Sequence, residues 1–437
     1  MASKHFVSLK TLSLLAVVCL FGATGSITSC SYFSDSSLTD QISALAKQEK
    51  NTEIVSFCDE KLKTDPNNSV LFASRGTAQL RLKHPDLAKA DLEKAISLDG
   101  KVGWYHRELA NVLAEQRNYK DALASFADSL RLDPDATAAA KTYAYQSNVY
   151  LQMDENAKAV ASASEAIKLA PKGTFAGYAY QTRADAYGGL YENDDGLLDI
   201  AKAFELGQNF PSTYHARMKL NFAKGNYDKV LEDAKKLRSL DKEDLRGVQY
   251  EEVVALVNGD SAGGLKLADE MIKHFPDIAN GYSDKASILF SQGDFKHANV
   301  LAEQALKLQP DNTGALGISA QLAAKAKDSK RTTELQERAV KLAPENSSIT
   351  NAQALNLLFL GKYQEAVSLC DKLILKNEDR VKQANIGKTA KTPGVYRIRS
   401  EAYKLLKQND KAESDMKTAL AQGYRKLSML ELYLKQL

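Results

Sequence analysis

The sequence predicts an all-α fold: an α-α superhelix, or solenoid, of about eleven stacked helix–turn–helix repeats. Prolines recur on a ruler of 34 residues, and small residues recur in fixed columns between them. The composition agrees, with Leu, Ala, Lys and Asp dominant and only 9 prolines among 437 residues. A chain of this length exceeds one ordinary core, but repeat units contact only their neighbours and escape that limit.

The first thirty residues stand outside this pattern. Lys4 and Lys10 give a positive start, and no acidic residue precedes Asp35. Residues 11–21 form an apolar run too short to span a bilayer comfortably, and small residues follow it over 22–29. This is the layout of a secretory signal peptide, assigned to residues 1–29. The run ends in Ile27-Thr28-Ser29-Cys30, which resembles the bacterial lipobox. That resemblance implies lipidation at Cys30, with residues 30–37 as tether and the mature chain exported and held at a cell or outer membrane, facing the periplasm. An ordinary cleaved signal with secretion, and an uncleaved anchor, remain the alternatives.

The remaining cysteines fit that reading. Cys19 falls in the apolar run, and Cys58 and Cys370 lie some three hundred residues apart along a solenoid. They cannot reach the Cα separation of about 4.4–6.8 Å that a disulfide requires. Both are expected as single buried thiols.

The ruler is set by Pro134, Pro171, Pro276, Pro310 and Pro344. Extended in both directions it marks eleven units over residues 35–424, with three extra residues in each of repeats 4 and 5 and a longer insertion at about 379–393. An aromatic column runs through Phe72, His106, Tyr143, Tyr180, Tyr214, Tyr282 and Tyr396. Four residues later come Gly76, Ala110, Ser147, Ala184, Ala286, Ala320, Ala354 and Ser400. Further small columns pass through Ala88, Ala122, Ala159, Gly196, Gly264, Ala298, Ala366 and Ala412, then Ala95, Ser129, Ala166, Ala203, Ala305, Ala339 and Ala419. Antiparallel helices approach closely only where a side chain is small, and an aromatic fills the adjoining gap. Each proline ends the second helix by pushing the residue before it out of the α region.

Aromatic, small, small and proline at these offsets resemble the tetratricopeptide repeat family. The resemblance implies that the first helix of each unit lines a concave groove that grips a partner protein or peptide. Repeat 1 departs from the columns with Ile42, Ile54 and Lys61, as a terminal cap does. Repeat 7 departs with Val248 and Glu252, and repeats 9 and 10 place Leu316 and Thr350 in the aromatic column. Residues 425–437 carry an apolar period and are expected to form a helix capping the last repeat.

The groove is expected on repeats 3 to 5. The residues assigned to it are Trp104, Arg107 and Asn111, then Lys141, Tyr145 and Asn148, then Tyr178, Gln181 and Asp185. Trp104 is the only tryptophan, and Trp, Tyr and Arg are the residues that most often anchor interfaces. Arg107 and Asn111 share a helix face and, with Asn148, resemble part of a carboxylate clamp for a peptide C-terminus. The basic pair that would complete the clamp belongs in repeat 5, where Tyr178 and Thr182 stand. The bland alternative is that the aromatics fill gaps between repeats and the polar residues are solvated.

Other chemistry finds little support. The 58 Lys and Arg balance 55 Asp and Glu, which argues against a nucleic-acid partner. Residues 379–437 are locally basic, with 13 basic against 6 acidic residues. A basic end of this kind suits anionic headgroups or an acidic partner; the plainer reading is that its lysines simply solvate helix faces. The 6 histidines show no metal spacing. Ile386-Gly387-Lys388-Thr389 resembles the end of a phosphate loop but follows no strand, and Asn193-Asp194-Asp195-Gly196 lacks calcium ligands at its flanks. No catalytic grouping and no cofactor are expected. The sequence reads as a non-catalytic interaction scaffold of the cell envelope, or else as an accessory module recruiting an envelope enzyme such as a cell-wall hydrolase or glycosyltransferase.

Overall fold

The computed structural model describes residues 36–190, 192–343, 347–383, 392–424 and 429–437. Among these are 23 α-helices and no strand. In repeat order the pairs are α1 (Ser36–Lys47) with α2 (Asn51–Thr64), α3 (Ser69–Arg81) with α4 (Pro85–Leu98), α5 (Gly103–Glu115) with α6 (Tyr119–Leu132), and α7 (Ala136–Gln152) with α8 (Asn156–Leu169). Repeats 5 to 8 are α9 (Thr174–Gly189) with α10 (Asn193–Glu205), α11 (Pro211–Lys224) with α12 (Tyr227–Leu240), α13 (Leu245–Val257) with α14 (Ser261–His274), and α15 (Ala279–Ser291) with α16 (Phe295–Leu308). Repeats 9 to 11 are α17 (Thr313–Lys325) with α18 (Ser329–Leu342), α19 (Ser347–Phe359) with α20 (Tyr363–Gln383), and α21 (Pro393–Leu405) with α22 (Asn409–Ala421), followed by α23 (Met429–Leu434).

The helices form two compact units, one ending at Asn226 and the other beginning at Tyr227. The division falls within repeat 6, where Met218, Val230 and Leu237 occupy the three small columns. In the first unit each second helix packs on the next first helix, and the first helices α3, α5, α7, α9 and α11 lie side by side. The second unit repeats this, with α15, α17, α19 and α21 in lateral contact.

The small columns are where the two helices of a pair meet. Ala88, Ala122, Ala159, Ala298 and Ala366 are fully buried. A methyl added at Gly76 would lie 2.9 Å from the Ala88 carbonyl oxygen, so α3 and α4 leave no room for a side chain there. The turn between first and second helices is equally regular. Its left-handed residue is Glu49, Lys83, Arg117, Asp154, Gly225, Gly259, Gly293, Lys327, Gly361 or Lys407. These positions step along the chain at the intervals of the proline ruler. In repeat 2 the Lys83 amide donates to Leu80 at 3.0 Å and the His84 amide to Gln79 at 2.9 Å, which closes the orphan carbonyls of α3. The second helices end before proline with Asp133, Ala170, Phe275 and Gln309 extended, at ψ 79°, 80°, 61° and 97°.

A second tie recurs between paired helices. Arg75 forks onto Asp91 at 2.7 and 2.8 Å, Arg183 onto Asp199 at 2.7 and 2.8 Å, and Arg399 onto Asp415 at 2.7 Å through both nitrogens. Each guanidinium also lies 5.1–5.3 Å from the aromatic column of its own helix, over Phe72, Tyr180 and Tyr396. The sequence reading did not single out this Arg column, which precedes the first small residue by one.

Three expectations change. Helix α20 runs to Gln383 and α21 begins at Pro393, so 379–383 is helix and not part of an excursion; residues 384–391, with the Gly387-Lys388-Thr389 segment, lie outside the described residues. The signal segment and Cys30 also lie outside them, and α1 already begins at Ser36, inside the expected tether. The C-terminal helix is only Met429–Leu434, and it crosses first helices of repeats 8 to 11. It does so because the apolar Leu430, Tyr433 and Leu434 pack with Phe290 and its neighbours. Cys58 and Cys370 are buried free thiols, with burial pushing both up to about 12.

Replacing Ala298, fully buried between α15 and α16, by Leu is expected to cost roughly 1–3 kcal/mol by overpacking. Ala124→Leu, on an exposed site of α6, is expected to change the melting temperature hardly at all. Equal melts for both variants would show the helix pair to be looser than this packing.

Candidate functional site

The first helices of repeats 3 to 5 bring five of the nine sequence-assigned residues together. Their centre is Glu108 on α5, a residue the sequence reading passed over. Arg107 donates to its carboxylate at 3.2 Å, Asn111 donates at 3.2 Å, and the Lys141 ammonium from α7 stands 3.6 Å away. Lys141 lies 5.7 Å from the Tyr145 ring centroid and 5.4 Å from that of Phe175. Tyr145 meets Phe175 and Tyr178 edge-on, both at 6.2 Å. Polar groups from two repeats thus share one aromatic-walled cluster.

The electrostatics of this cluster are lopsided. Burial would raise the Glu108 carboxyl, but Lys141, Arg107 and Arg81 together hold it down at about 2. Burial and the nearby Arg107 guanidinium push Lys141 down to about 8, against the pull of Glu108. Three cations acting on one carboxylate leave a site with a positive bias. Arg81, in the last turn of α3, could have been suspected from sequence only by placing α3 beside α5.

The other four assigned residues are placed differently. Gln181 is buried and accepts from Thr213 at 2.8 Å and Ser212 at 3.4 Å, joining α9 to α11. Asp185 accepts from Lys219 of α11 at 3.1 Å. Trp104 is half-buried, edge-on to Tyr105 at 4.5 Å, and packs against the Ala73, Ala88 and Leu92 cluster. Asn148 is half-buried on α7.

In the second unit the departures of repeat 7 have a consequence. Glu252 stands in a small column, is 2 % exposed, and its Oε1 has no hydrogen-bond partner. Its nearest electrostatic neighbour is the Asp284 carboxyl of α15. Burial raises both carboxyls well above the ordinary range, and Asp284 adds to the rise of Glu252. Two neighbouring buried carboxyls repel each other when both are charged, so burial of the pair is favoured while at least one member is neutral.

Among the described residues no group of three or more His, Cys, Asp or Glu could hold a metal ion, and no helix is long and apolar enough to cross a membrane. Each unit is an all-α stack of antiparallel helix pairs, the arrangement of a tetratricopeptide-repeat solenoid. Residues 74–140 match the family model described as Tetratricopeptide repeat. No curated relative matches the sequence. Among solved structures, the chain is similar to a tetratricopeptide repeat protein from Parabacteroides merdae, at 15 % identity over 57 % of this chain and 97 % of that one, with a TM-score of 0.46. It is also similar to yeast Tom70, at 18 % identity over 87 % and 89 % of the two chains and a TM-score of 0.46. A third is PilW, a type IV pilus biogenesis factor, at 16 % identity over 48 % and 94 % and a TM-score of 0.44. All three scores are below 0.5, and the family match rests on residues 74–140.

The Glu252–Asp284 pair makes stability depend on pH. Both carboxyls are raised in the folded chain, so their contribution is full below the ordinary carboxylate range and is lost as pH climbs through the raised values. Between about pH 6 and pH 9 the wild-type melting temperature should therefore fall further than that of Glu252→Gln. Parallel profiles would remove the pair from the account.

Proposed function

We propose that this protein is a non-catalytic scaffold of the cell envelope that holds an anionic segment of a partner protein on the inner side of repeats 3 to 5. The observation that carries this reading is the positive bias at Glu108, where Arg107 and Lys141 meet beside Asn111 and an aromatic wall. A carboxylate of a bound peptide, whether at its C-terminus or on an acidic side chain, would relieve the strained charge of Lys141. Tyr145 and Phe175 supply apolar surface beside it, the combination on which interface anchors rest. By helical spacing Trp104 falls on the Glu108 and Asn111 side of α5, and Asn148 on the Lys141 and Tyr145 side of α7.

The reading assigns Cys30 as the lipid-bearing residue, on the strength of the Ile27-Thr28-Ser29-Cys30 pattern behind an apolar run. Such an anchor would hold the solenoid close to the membrane, because α1 begins only six residues after Cys30. Fatty-acid labelling of the wild type, lost in Cys30→Ser, is the expected result. Label on both proteins, or on neither, would remove the anchor.

Partner capture tests the groove. Cross-linked membrane complexes should be recovered at least tenfold less well with Trp104→Ala, Lys141→Met or Asn148→Ala; melting temperatures should stay close to wild type for the last two, whereas Trp104→Ala also gives up packing on the Ala73, Ala88 and Leu92 cluster. Capture should also be strongest well below pH 8 and decline as pH rises through about 8, because burial and the Arg107 guanidinium push Lys141 down to about 8 in the free chain. Undiminished capture by all three folded variants would place the binding face elsewhere.

A further inference from the structure

The C-terminal segment 429–437 behaves as a ligand of its own chain. Its contacts run to first helices of successive repeats. The Tyr433 hydroxyl meets the Ser287 hydroxyl of α15 and donates to the Ser287 carbonyl at 3.3 Å, with its ring 5.5 Å from that of Phe290. Gln436 donates to the Ser291 carbonyl at 3.0 Å and accepts at its own carbonyl from Lys325 of α17. Glu431 receives both arms of Arg397 from α21, at 2.5 and 3.2 Å, and the Tyr424 hydroxyl at 3.0 Å. Leu434 is buried in the cluster that holds Phe290, Phe359 and Ile398.

This is a recognition pattern and not a continuation of the repeat stack. A helix of six residues has almost no stability alone, so α23 takes its shape from the surface beneath it. Ser287 follows the first small residue of its repeat by one, the offset that Asn111, Asn148 and Asp185 hold in repeats 3 to 5. Gln321 holds that offset in repeat 9; it is 5 % exposed and its Oε1 has no partner. The tail therefore satisfies this face at Ser287, Lys325 and Arg397 and leaves an acceptor open between them.

We propose that the first helices of repeats 8 to 11 form a second binding site, independent of the one on repeats 3 to 5, which the chain's own tail closes. Its external occupant is a short helical segment of another protein with the tail's chemistry: an acid, then Tyr two residues on, then an apolar residue, with a donor directed at Gln321. Arg397 reads the acid, Phe290 and Ser287 read the tyrosine, and the Leu434 position reads the apolar residue. A tethered competitor acts at an effective concentration of order mM, so the intact chain admits only a segment that binds better than its own tail.

The probe is a fluorescein-labelled peptide of residues 427–437, titrated by anisotropy into the full chain and into a chain ending at Tyr424. The shortened chain should bind it at least tenfold more tightly than the full chain does. Peptides carrying Glu431→Lys or Tyr433→Ala should lose at least tenfold in affinity. Lys141→Met in the shortened chain should change nothing, which separates this site from that on repeats 3 to 5. No binding by a shortened chain that melts as the full chain does, or equal binding by both, would overturn the proposal. If the shortened chain does not fold, the full chain carrying Glu431→Lys and Tyr433→Asp takes its place; failure of that tail-released variant to bind the peptide more tightly than wild type would likewise overturn it.

Discussion

Two helices joined by a three-residue turn can bury their facing sides only if something lets their backbones come close. In this protein that is done by the small columns, and Gly76 shows how little room there is: its missing methyl would press on the Ala88 carbonyl. Much else follows from that approach. The turn must reverse the chain within a few residues, which puts one residue of each into the left-handed region, even where it is Glu49, Lys83, Arg117 or Lys407. Non-glycine residues are strained there, by roughly 1 kcal/mol each, and the hydrogen bonds that close the first helix offset the strain. The aromatic column fills the space beside the small one, and Arg75, Arg183 and Arg399 lie over those rings while gripping Asp91, Asp199 and Asp415 on the paired helix. These pairs are largely buried, so their value lies in fixing which helix meets which as much as in stability.

Once the pairs are set, the first helices have one face left to use. The same position, one residue after the first small column, serves three ends. Asn111 takes part in a charged cluster, Asp185 ties its repeat to the next through Lys219, and Ser287 holds the tail. The backbone geometry does not distinguish these uses; side chains brought in by the neighbouring repeat do. Lys141 gives the position beside Glu108 its sign, and Arg397 gives the tail its acidic reader.

This explains what could be read from the sequence. The all-α class and the eleven helical pairs follow from spacing, and spacing is local: each proline and each alanine reports on its own unit. The buried thiols Cys58 and Cys370 are where a solenoid puts them. The candidate site was legible as a face but not as a set of contacts. Arg107, Asn111, Lys141, Tyr145 and Tyr178 converge, yet Glu108, the group they converge on, looks in the sequence like any solvated helix carboxylate. Gln181 looked like a groove residue and is a buried link between α9 and α11, which only the stagger between repeats reveals. The C-terminal helix was readable as an amphipathic segment, but its length and docking depend on residues more than a hundred positions earlier.

The break in the pattern at repeat 7 and the docked tail meet on α15. Glu252 replaces a small residue, and burial beside the Asp284 carboxyl favours its neutral form. Asp284 in turn lies close enough to Tyr433 for its charge to help raise the phenol, which burial has already pushed up to about 12. A negative charge on Asp284 therefore disfavours ionisation of the same hydroxyl that bonds to Ser287, and leaves it a donor. A helix pair that tolerates an acid in a packing column thus sits next to the surface that recognises a tyrosine. The charge of one carboxylate, Asp284, thus reaches both the buried carboxyl of α13 and the tail hydroxyl that bonds to α15.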